Sequence, residues 1–509
     1  MAATVTSNMR IHAAKQFDSS FSDGSQSIYL FIARTLPWEN DNQPPTPLDC
    51  EGHESATFRE MLSMKRLNGS DVSLVIPRNN WTVGTIYTQY ANDVDLFDPT
   101  SGNTPFFVVT DSLNVYKCLS NNGGAASTVI PSGTSTSVVT NADGYQWKYM
   151  FTVNSADVLK FVTTEWIPVK TLDDNDGSQQ WLVQQAAIAG TIDRIDMVTV
   201  GTQYTQVPTV AITGDGTGAT AVATISGGNV TKITVTSTGS GYTWATIAIT
   251  DGGVASNGAT AKAIISPFTG HGANPTAELG GYYVLVNGKL TYDESGVFTI
   301  GNDYRRIGML KNPKLHGTNT QATGATYDQS VRLTFSTVSG SSFVQDEVVT
   351  GATSGAYGVV MDWNATTSVL RLVEVSGTFI PGETVVGDTA SGVLQTFAGT
   401  ATSGTTTTIV LPSGASAVND QYTGQTIKIT SGTGNGQTRV ISGYVGVSRT
   451  ATVSAAWSVT PDNTSQFKIA KILGPDVKLY SGEILYFENR RPIERAQDQV
   501  EDVKIVVEF

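Results

Sequence analysis

Apolar positions along this chain recur mainly at every second residue or in short continuous runs, and stretches with helical spacing are few. Ile28-Tyr-Leu-Phe-Ile-Ala33 is a continuous apolar run, which predicts a strand buried on both faces. Pro37, Pro44, Pro45 and Pro47 then impose a loop. Residues 54–67 carry the best helical pattern: Phe58, Met61, Leu62 and Lys65 share one stripe, and Thr57 and Glu60 have capping-box spacing. Residues 106–119 read as strands. In residues 145–153, Tyr145, Trp147, Tyr149, Phe151 and Val153 alternate, predicting a sheet face lined with aromatics. Ser155 is placed to cap a short helix reaching Phe161.

Beyond residue 188 internal repeats begin. Residues 195–205 match 233–243, with Gly201 and Gly239 each three before a tyrosine. Residues 208–213 match 245–250, and 218–221 match 258–261. Two tandem copies of strands and glycine turns are too few for a solenoid, so a small paired β-domain is expected. A second pair follows, with Phe343, Glu347, Gly351 and Ser354-Gly355 recurring as Phe379, Glu383, Gly387 and Ser391-Gly392. Residues 399–469 form another Thr/Gly-rich β segment, after which the texture of the first part returns. The expected fold is mostly β. A discontinuous β-sandwich-like body with a few short helices (residues 1–187, 268–324 and 471–509) carries two inserted small β-domains, a tandem-repeat domain at 188–267 and β-rich modules at 325–470.

Composition supports this reading. Of 509 residues only 15 % are charged and 51 are glycine, and the formal net charge is −13. No Lys/Arg cluster exceeds the pairs Arg305-Arg306 and Arg490-Arg491, so the basic face of a nucleic-acid binder is missing. Cys50 and Cys118 offer no disulfide framework and are expected as buried free thiols. No run approaches the ~20 apolar residues of a membrane span, and residues 1–10 lack a signal-peptide core, so a soluble chain made in the cytoplasm is expected.

The candidate chemistry is thin. His12, His53, His271 and His316 are far apart without metal-ligand spacing, and His271, between Gly270 and Gly272, is expected in a solvated turn. Residues 214–218 and 432–436 are glycine-rich, but strand sequence flanks both and no helix or lysine follows, so turns are expected rather than phosphate loops. Asp173-Asp174 and Glu501-Asp502 point to opposite faces of an extended chain and read as solvated charge. Tyr204, Tyr242, Trp244, Trp363 and Trp457 are the aromatics that could stack on sugars. No catalytic, cofactor-binding or metal-ligating set emerges.

Five segments carry a resemblance. They are residues 28–40, with Arg34, Pro37 and Trp38; Val75-Ile-Pro-Arg-Asn-Asn-Trp81; Asp143-Gly-Tyr-Gln-Trp-Lys-Tyr-Met-Phe151; residues 304–313, beginning Tyr304-Arg-Arg; and residues 481–509, from Ser481-Gly-Glu-Ile-Leu-Tyr-Phe-Glu-Asn-Arg-Arg-Pro-Ile493 through Asp498-Gln499 to the strand ending at Phe509. In this order they resemble the gene product eight family, the baseplate wedge subunits of T-even-like contractile-tailed phages. With their surroundings they span about half the chain, and residues 188–267 and 325–470 depart from the compact family pattern. The resemblance implies a non-enzymatic, cofactor-free homodimer in the virion baseplate. It would bind other wedge proteins and the fibre- or spike-connecting proteins, with no nucleic-acid or membrane partner. Aromatic and arginine side chains anchor such interfaces, which makes Arg34, Trp38, Arg78, Trp81 and Arg490 the candidate interface or fold anchors. The alternatives are a receptor- or polysaccharide-binding tail protein and, more remotely, a polysaccharide hydrolase.

Overall fold

The computed structural model describes residues 4–98, 104–250, 257–292, 294, 296–298, 303–316, 319–496 and 498–509. The protein is mostly β, with short helices, and no described helix is long and apolar enough to cross a membrane. It divides into two compact units. One holds residues 1–19, 69–287 and 504–509; the other holds 20–68 and 288–503. The segments expected to form one discontinuous body are therefore shared between two units.

In the first unit, an antiparallel sheet runs in the order Phe107–Val109, Asn114–Ser120, Gln146–Thr152, Val139–Thr140. The alternating aromatics lie here, but the strand is buried on both faces: Trp147, Lys148, Tyr149, Met150 and Phe151 are all inside. Tyr87, Tyr116, Tyr145, Trp147 and Tyr149 form the core with Val183 from the helix Gln179–Gln185. The short helix Ser155–Phe161 is capped by Asn154, one residue before the expected Ser155, and its side chain accepts from the Ala156 amide.

The first repeat pair builds a six-stranded sheet in the order Thr209–Gly214, Ala245–Thr250, Asn257–Ile265, Ile192–Thr202, Asn229–Ser240, Thr217–Ser226. Its two end strands are consecutive in the chain and pack together, so the sheet curls into a barrel. The copies interleave instead of stacking: the first strand of each pairs with the last strand of the other. Ile195 lies opposite its counterpart Ile233, and Ala211 opposite Ala248. A residue facing its own counterpart across an antiparallel pair marks a local two-fold axis. The repeat tyrosines are buried at equivalent places, the Tyr204 hydroxyl accepting from the Ala259 amide and that of Tyr242 from Ala219.

The second unit centres on an antiparallel sheet in the order Thr326–Asp328, Met61–Leu67, Ile28–Ala33, Asp303–Lys311, Glu483–Glu494. Ile28–Ala33 is buried at every position, as its apolar run predicts. The helix predicted over 54–67 is wrong in its second half. A helix runs Glu51–Glu60, and Met61–Leu67 is a strand. Thr57 is not a cap; it sits inside the helix, its hydroxyl donating to the His53 carbonyl. Helical propensity is a weak force, and here it loses to the unpaired backbone of Ile28–Ala33, which needs a neighbour on this side.

The second repeat pair closes a ring in which Val331–Gly340 pairs with both Ala390–Leu394 and Val369–Ser376. Thr350 lies opposite its counterpart Val386, another local two-fold. Two buried carboxylates pin it reciprocally. Glu383 accepts from the amides of Ile380, Thr353 and Ser354, and Glu347 from those of Val344 and Asp388. The repeat glycines leave room for them: a Cβ at Gly351 would lie 2.7 Å from the Glu383 carboxylate, and one at Gly387 2.8 Å from that of Glu347. The remaining module, residues 396–470, has its own core around Ile409, Ile427, Trp457 and Phe467.

Each inserted region leaves and re-enters its unit at adjacent residues. The Ser266 amide donates to the Thr191 carbonyl, the Asp476 amide to the Asp328 carbonyl, and the Val477 amide to the Gln329 side chain. Replacing residues 331–474 by a short Gly/Ser linker should leave the five-stranded sheet folded, given Asp328→Asn to remove the charge that Arg332 and Arg371 flank. Far-UV circular dichroism with a cooperative melt checks this. In the intact chain, Glu383→Ala should cost about 3 kcal/mol by stranding amide donors of a buried charged acceptor, read by urea denaturation.

Candidate functional site

The sheet of the second unit assembles three of the five candidate anchors. Ala33 ends its strand, and Arg34 turns the chain in the left-handed region at φ 63°. This aims its guanidinium at Glu60, 2.7 Å away, and lays it 4.0 Å from the centre of the Trp38 ring. The second carboxylate oxygen of Glu60 accepts from Arg306 at 2.7 Å, and Arg306 also donates to Thr57 and to the Asn489 side chain. The Trp38 indole N–H donates to the Arg490 carbonyl at 2.9 Å. Arg490 thus contributes its backbone, while its half-exposed guanidinium pairs with Glu488. Arg305 is buried too, held by Asp41 and Asp303. The densest basic pair of the central sequence is therefore consumed inside the protein.

Arg78 and Trp81 lie in the other unit, on the segment after the strand Val72–Pro77. Arg78 donates to the Asn80 side chain and the Thr163 carbonyl. The Trp81 indole packs on the aromatic core and donates to Ser127, which donates in turn to Asp143. All five candidate residues are thus committed to internal contacts, and Arg490 is the most exposed of them.

A second cluster went unrecognised in the sequence. His271, expected in a solvated turn, is only 7 % exposed: the flanking glycines, both at φ 88°, fold it inward. Lys117 Nζ lies 2.8 Å from Glu278 Oε2, 3.2 Å from His271 Nδ1 and 4.3 Å from the Tyr90 ring centre. The ammonium can only donate, so Nδ1 accepts, and Nε2–H donates to Asp193 at 2.6 Å. The Gly272 and Asn274 amides complete the Glu278 shell. Burial alone would raise the Glu278 carboxyl, but the Lys117 charge beside it outweighs this and holds the group below the usual carboxylate range. The cluster floors a cavity of about 470 Å³ whose wall includes Val94, Phe97 and Phe268. Every polar atom described for Lys117 and Glu278 has a partner, so the arrangement braces the strand Asn114–Ser120 to the segment 270–278. The sequence signal was a lysine in an otherwise apolar strand, Val115-Tyr-Lys-Cys118.

Other expectations resolve individually. Within 214–218 only Asp215-Gly216 is a turn, between the strands Thr209–Gly214 and Thr217–Ser226, and 432–436 is a turn after Thr426–Ser431; a Cβ at Gly216 would lie 2.4 Å from the Tyr242 ring, so that glycine serves packing. Cys118 is buried, its thiol pushed up to about 12 by desolvation, whereas Cys50 is exposed, contrary to expectation. Cys50 sits just before the helix Glu51–Glu60, where no core covers it. Asp173 and Asp174 are solvated, but Glu501 is not: it accepts from Arg495 and the Tyr304 hydroxyl. Of the five possible sugar-stacking aromatics, Tyr204, Tyr242 and Trp457 are buried and Trp363 packs on Phe343; Trp244 alone is mainly exposed. Among the described residues, no group of His, Cys, Asp and Glu could hold a metal ion. A scan against protein-family models and a search of curated proteins both find no match for the chain.

Glu278 titrates lower folded than unfolded, so its contribution is complete above about 4.5 and is lost as pH falls toward about 2. Urea midpoints measured across this window should fall for the native protein. Glu278→Gln should be less stable at neutral pH and show a shallower acid loss.

Proposed function

We propose that the chain is a structural component of the baseplate wedge of a contractile phage tail. It would join neighbouring wedge proteins and link the peripheral fibre or spike region to the inner baseplate, resident in the virion after synthesis in the host cytoplasm. The observation that carries this reading is how the five resembling segments are used. Segments 28–40 and 304–313 and the first part of segment 481–509 supply three adjacent strands of one sheet and the Trp38 loop closed over it, while the last part, Glu501–Glu508, pairs in another sheet. Segments 75–81 and 143–151 are tied together through Ser127. The resemblance thus falls on framework that fixes a shape, which is what a wedge protein needs to hold large interfaces.

On this reading the partners are a second copy, other wedge proteins and the fibre- or spike-connecting proteins. Nucleic acid, membrane, cofactor and catalysis have no part in it. The inserted modules enlarge the surface available to neighbours. Their outer faces are rich in Thr and Val, such as Thr220, Val222 and Thr224 on one strand, and poor in charge, which suits protein contacts. A polysaccharide-binding role would need a platform of exposed rings, and the exposed rings described on the inserted regions, Trp244 and Tyr357, lie in different modules.

Light scattering behind a sizing column should give twice the 53.9 kDa chain mass. A trimer would replace the wedge reading with that of a three-fold fibre or spike, and a monomer at every concentration would remove the expected self-association.

A further inference from the structure

The buried cluster around Glu278 holds more order than an ion pair needs. Lys117 Nζ and Glu278 Oε2 are 2.8 Å apart, and the two side chains are 1 % and 4 % exposed. The two carboxylate oxygens have different partners. Oε2 faces the lysine, while Oε1 accepts from the backbone amides of Gly272 at 2.8 Å and Asn274 at 3.3 Å. His271 Nδ1 lies beside both side chains, 3.2 Å from Nζ and 3.6 Å from Oε2. Its other nitrogen is held by Asp193, whose second oxygen accepts from the Thr191 hydroxyl.

These are the parts of an acyl-transfer site. There is an amine nucleophile, an acyl group, and a histidine within reach of both whose tautomer a carboxylate fixes. Two amides also meet the oxygen on which negative charge would develop. We propose that Lys117 and Glu278 condense to an amide, an intramolecular isopeptide bond between the strand Asn114–Ser120 and the helix Pro275–Glu278. The event is a single self-modification without turnover, and it stands independently of the wedge reading.

The reaction is a dehydration. An ammonium proton passes to Oε2 along the 2.8 Å hydrogen bond, leaving a neutral amine and a neutral carboxyl group. The amine shifts from the edge of the carboxyl to its face and bonds to Cδ, and the Gly272 and Asn274 amides meet the charge that develops on Oε1. A second proton leaves the nitrogen for His271 Nδ1, and Asp193 stabilises the imidazolium. His271 returns that proton to Oε2, the Cδ–Oε2 bond breaks, and one water is released. The third lysine proton stays on the amide. Both groups line the cavity of about 470 Å³, which gives the water a way out. The Lys117 charge keeps Glu278 ionised, so the ion pair is the resting form and the neutral pair a minority. Burial narrows that gap, because desolvation penalises the two ions and spares the neutral pair. Fixed contact supplies the rest, since well-oriented intramolecular partners react at effective concentrations of ~10⁵ to 10⁸ M. The bond would close residues 117–278 into one loop containing the repeat barrel, restricting the unfolded chain as a disulfide does.

Intact-mass spectrometry of the purified full chain, kept for a week at neutral pH below its melting temperature, tests this. The main species should be lighter than the sequence mass by one water. Trypsin should then fail to cut after Lys117 and should yield a branched peptide joining Lys117 to Glu278. Lys117→Arg keeps the positive charge without the nucleophilic amine and should retain its full mass. His271→Gln should slow condensation about a hundredfold, a usual loss when a proton carrier is removed. Condensed chains should also lose the acid-sensitive contribution of Glu278, whose carboxyl no longer exists. A native chain that keeps its full mass overturns the proposal, as does a water loss that persists in Lys117→Arg or maps to other residues.

Discussion

A strand inside a protein must find partners for its amide and carbonyl groups on both sides, and the architecture of this chain is a set of answers to that demand. Met61–Leu67 is a strand because Ile28–Ala33 lies between it and Asp303–Lys311 and both of its sides must be filled. The inserted modules answer by closing on themselves. In each repeat module two copies exchange strands about a local axis, so what is an edge in one copy becomes the partner of the other. The five-stranded sheet answers with irregularity, its last strand being bulged at Leu485 and again at residues 490–492.

Electrostatics follow from the same economy. A chain with few charges has little need of surface ion pairs, and its most consequential ones are inside. Glu60 sits between Arg34 and Arg306, and Glu278 accepts from Lys117. Burying such groups is costly, and a buried pair stabilises little relative to apolar packing. What it supplies is geometry: each carboxylate has one set of partners in one place, and losing a single partner leaves a charge stranded. Glu60 fixes the turn at Arg34, which positions Trp38, which in turn closes the strand end at Arg490. The left-handed backbone of Arg34 is tolerated because both its amide, on the Glu60 carbonyl, and its side chain are held.

How far this was legible in the sequence depends on the range of the interaction. The buried run Ile28–Ala33 and both repeat pairs could be read directly, because apolar continuity and self-similarity are properties of the string. The interleaving of the copies could not, since tandem stacking and strand exchange leave the same repeat. The helix at residues 54–67 misled because Phe58, Met61 and Leu62 suit a helical stripe as well as a buried strand, and only the neighbouring strand decides. His271 misled because flanking glycines usually mark a solvated turn; its partners Asp193 and Lys117 come from two distant places in the chain. Among the candidate anchors, Arg34 and Trp38 are held by internal contacts, and residue type gave no sign that Arg490 would act through its carbonyl.

The glycines of the second module show why repeat patterns carry more information than they first yield. Phe343, Glu347 and Gly351 recur as Phe379, Glu383 and Gly387, and the spacing alone points to a structural unit. The structure gives the pattern a cause: each glutamate crosses the local axis to satisfy the turn of the other copy, and each glycine is absent of side chain because that carboxylate passes beside it. The glutamate and glycine that belong together are therefore the ones in different copies, Glu347 with Gly387 and Glu383 with Gly351. A repeat whose residues are reciprocally dependent in this way cannot be shortened to one copy, and that is the physical reason two copies, too few for an open stack, suffice for a closed module.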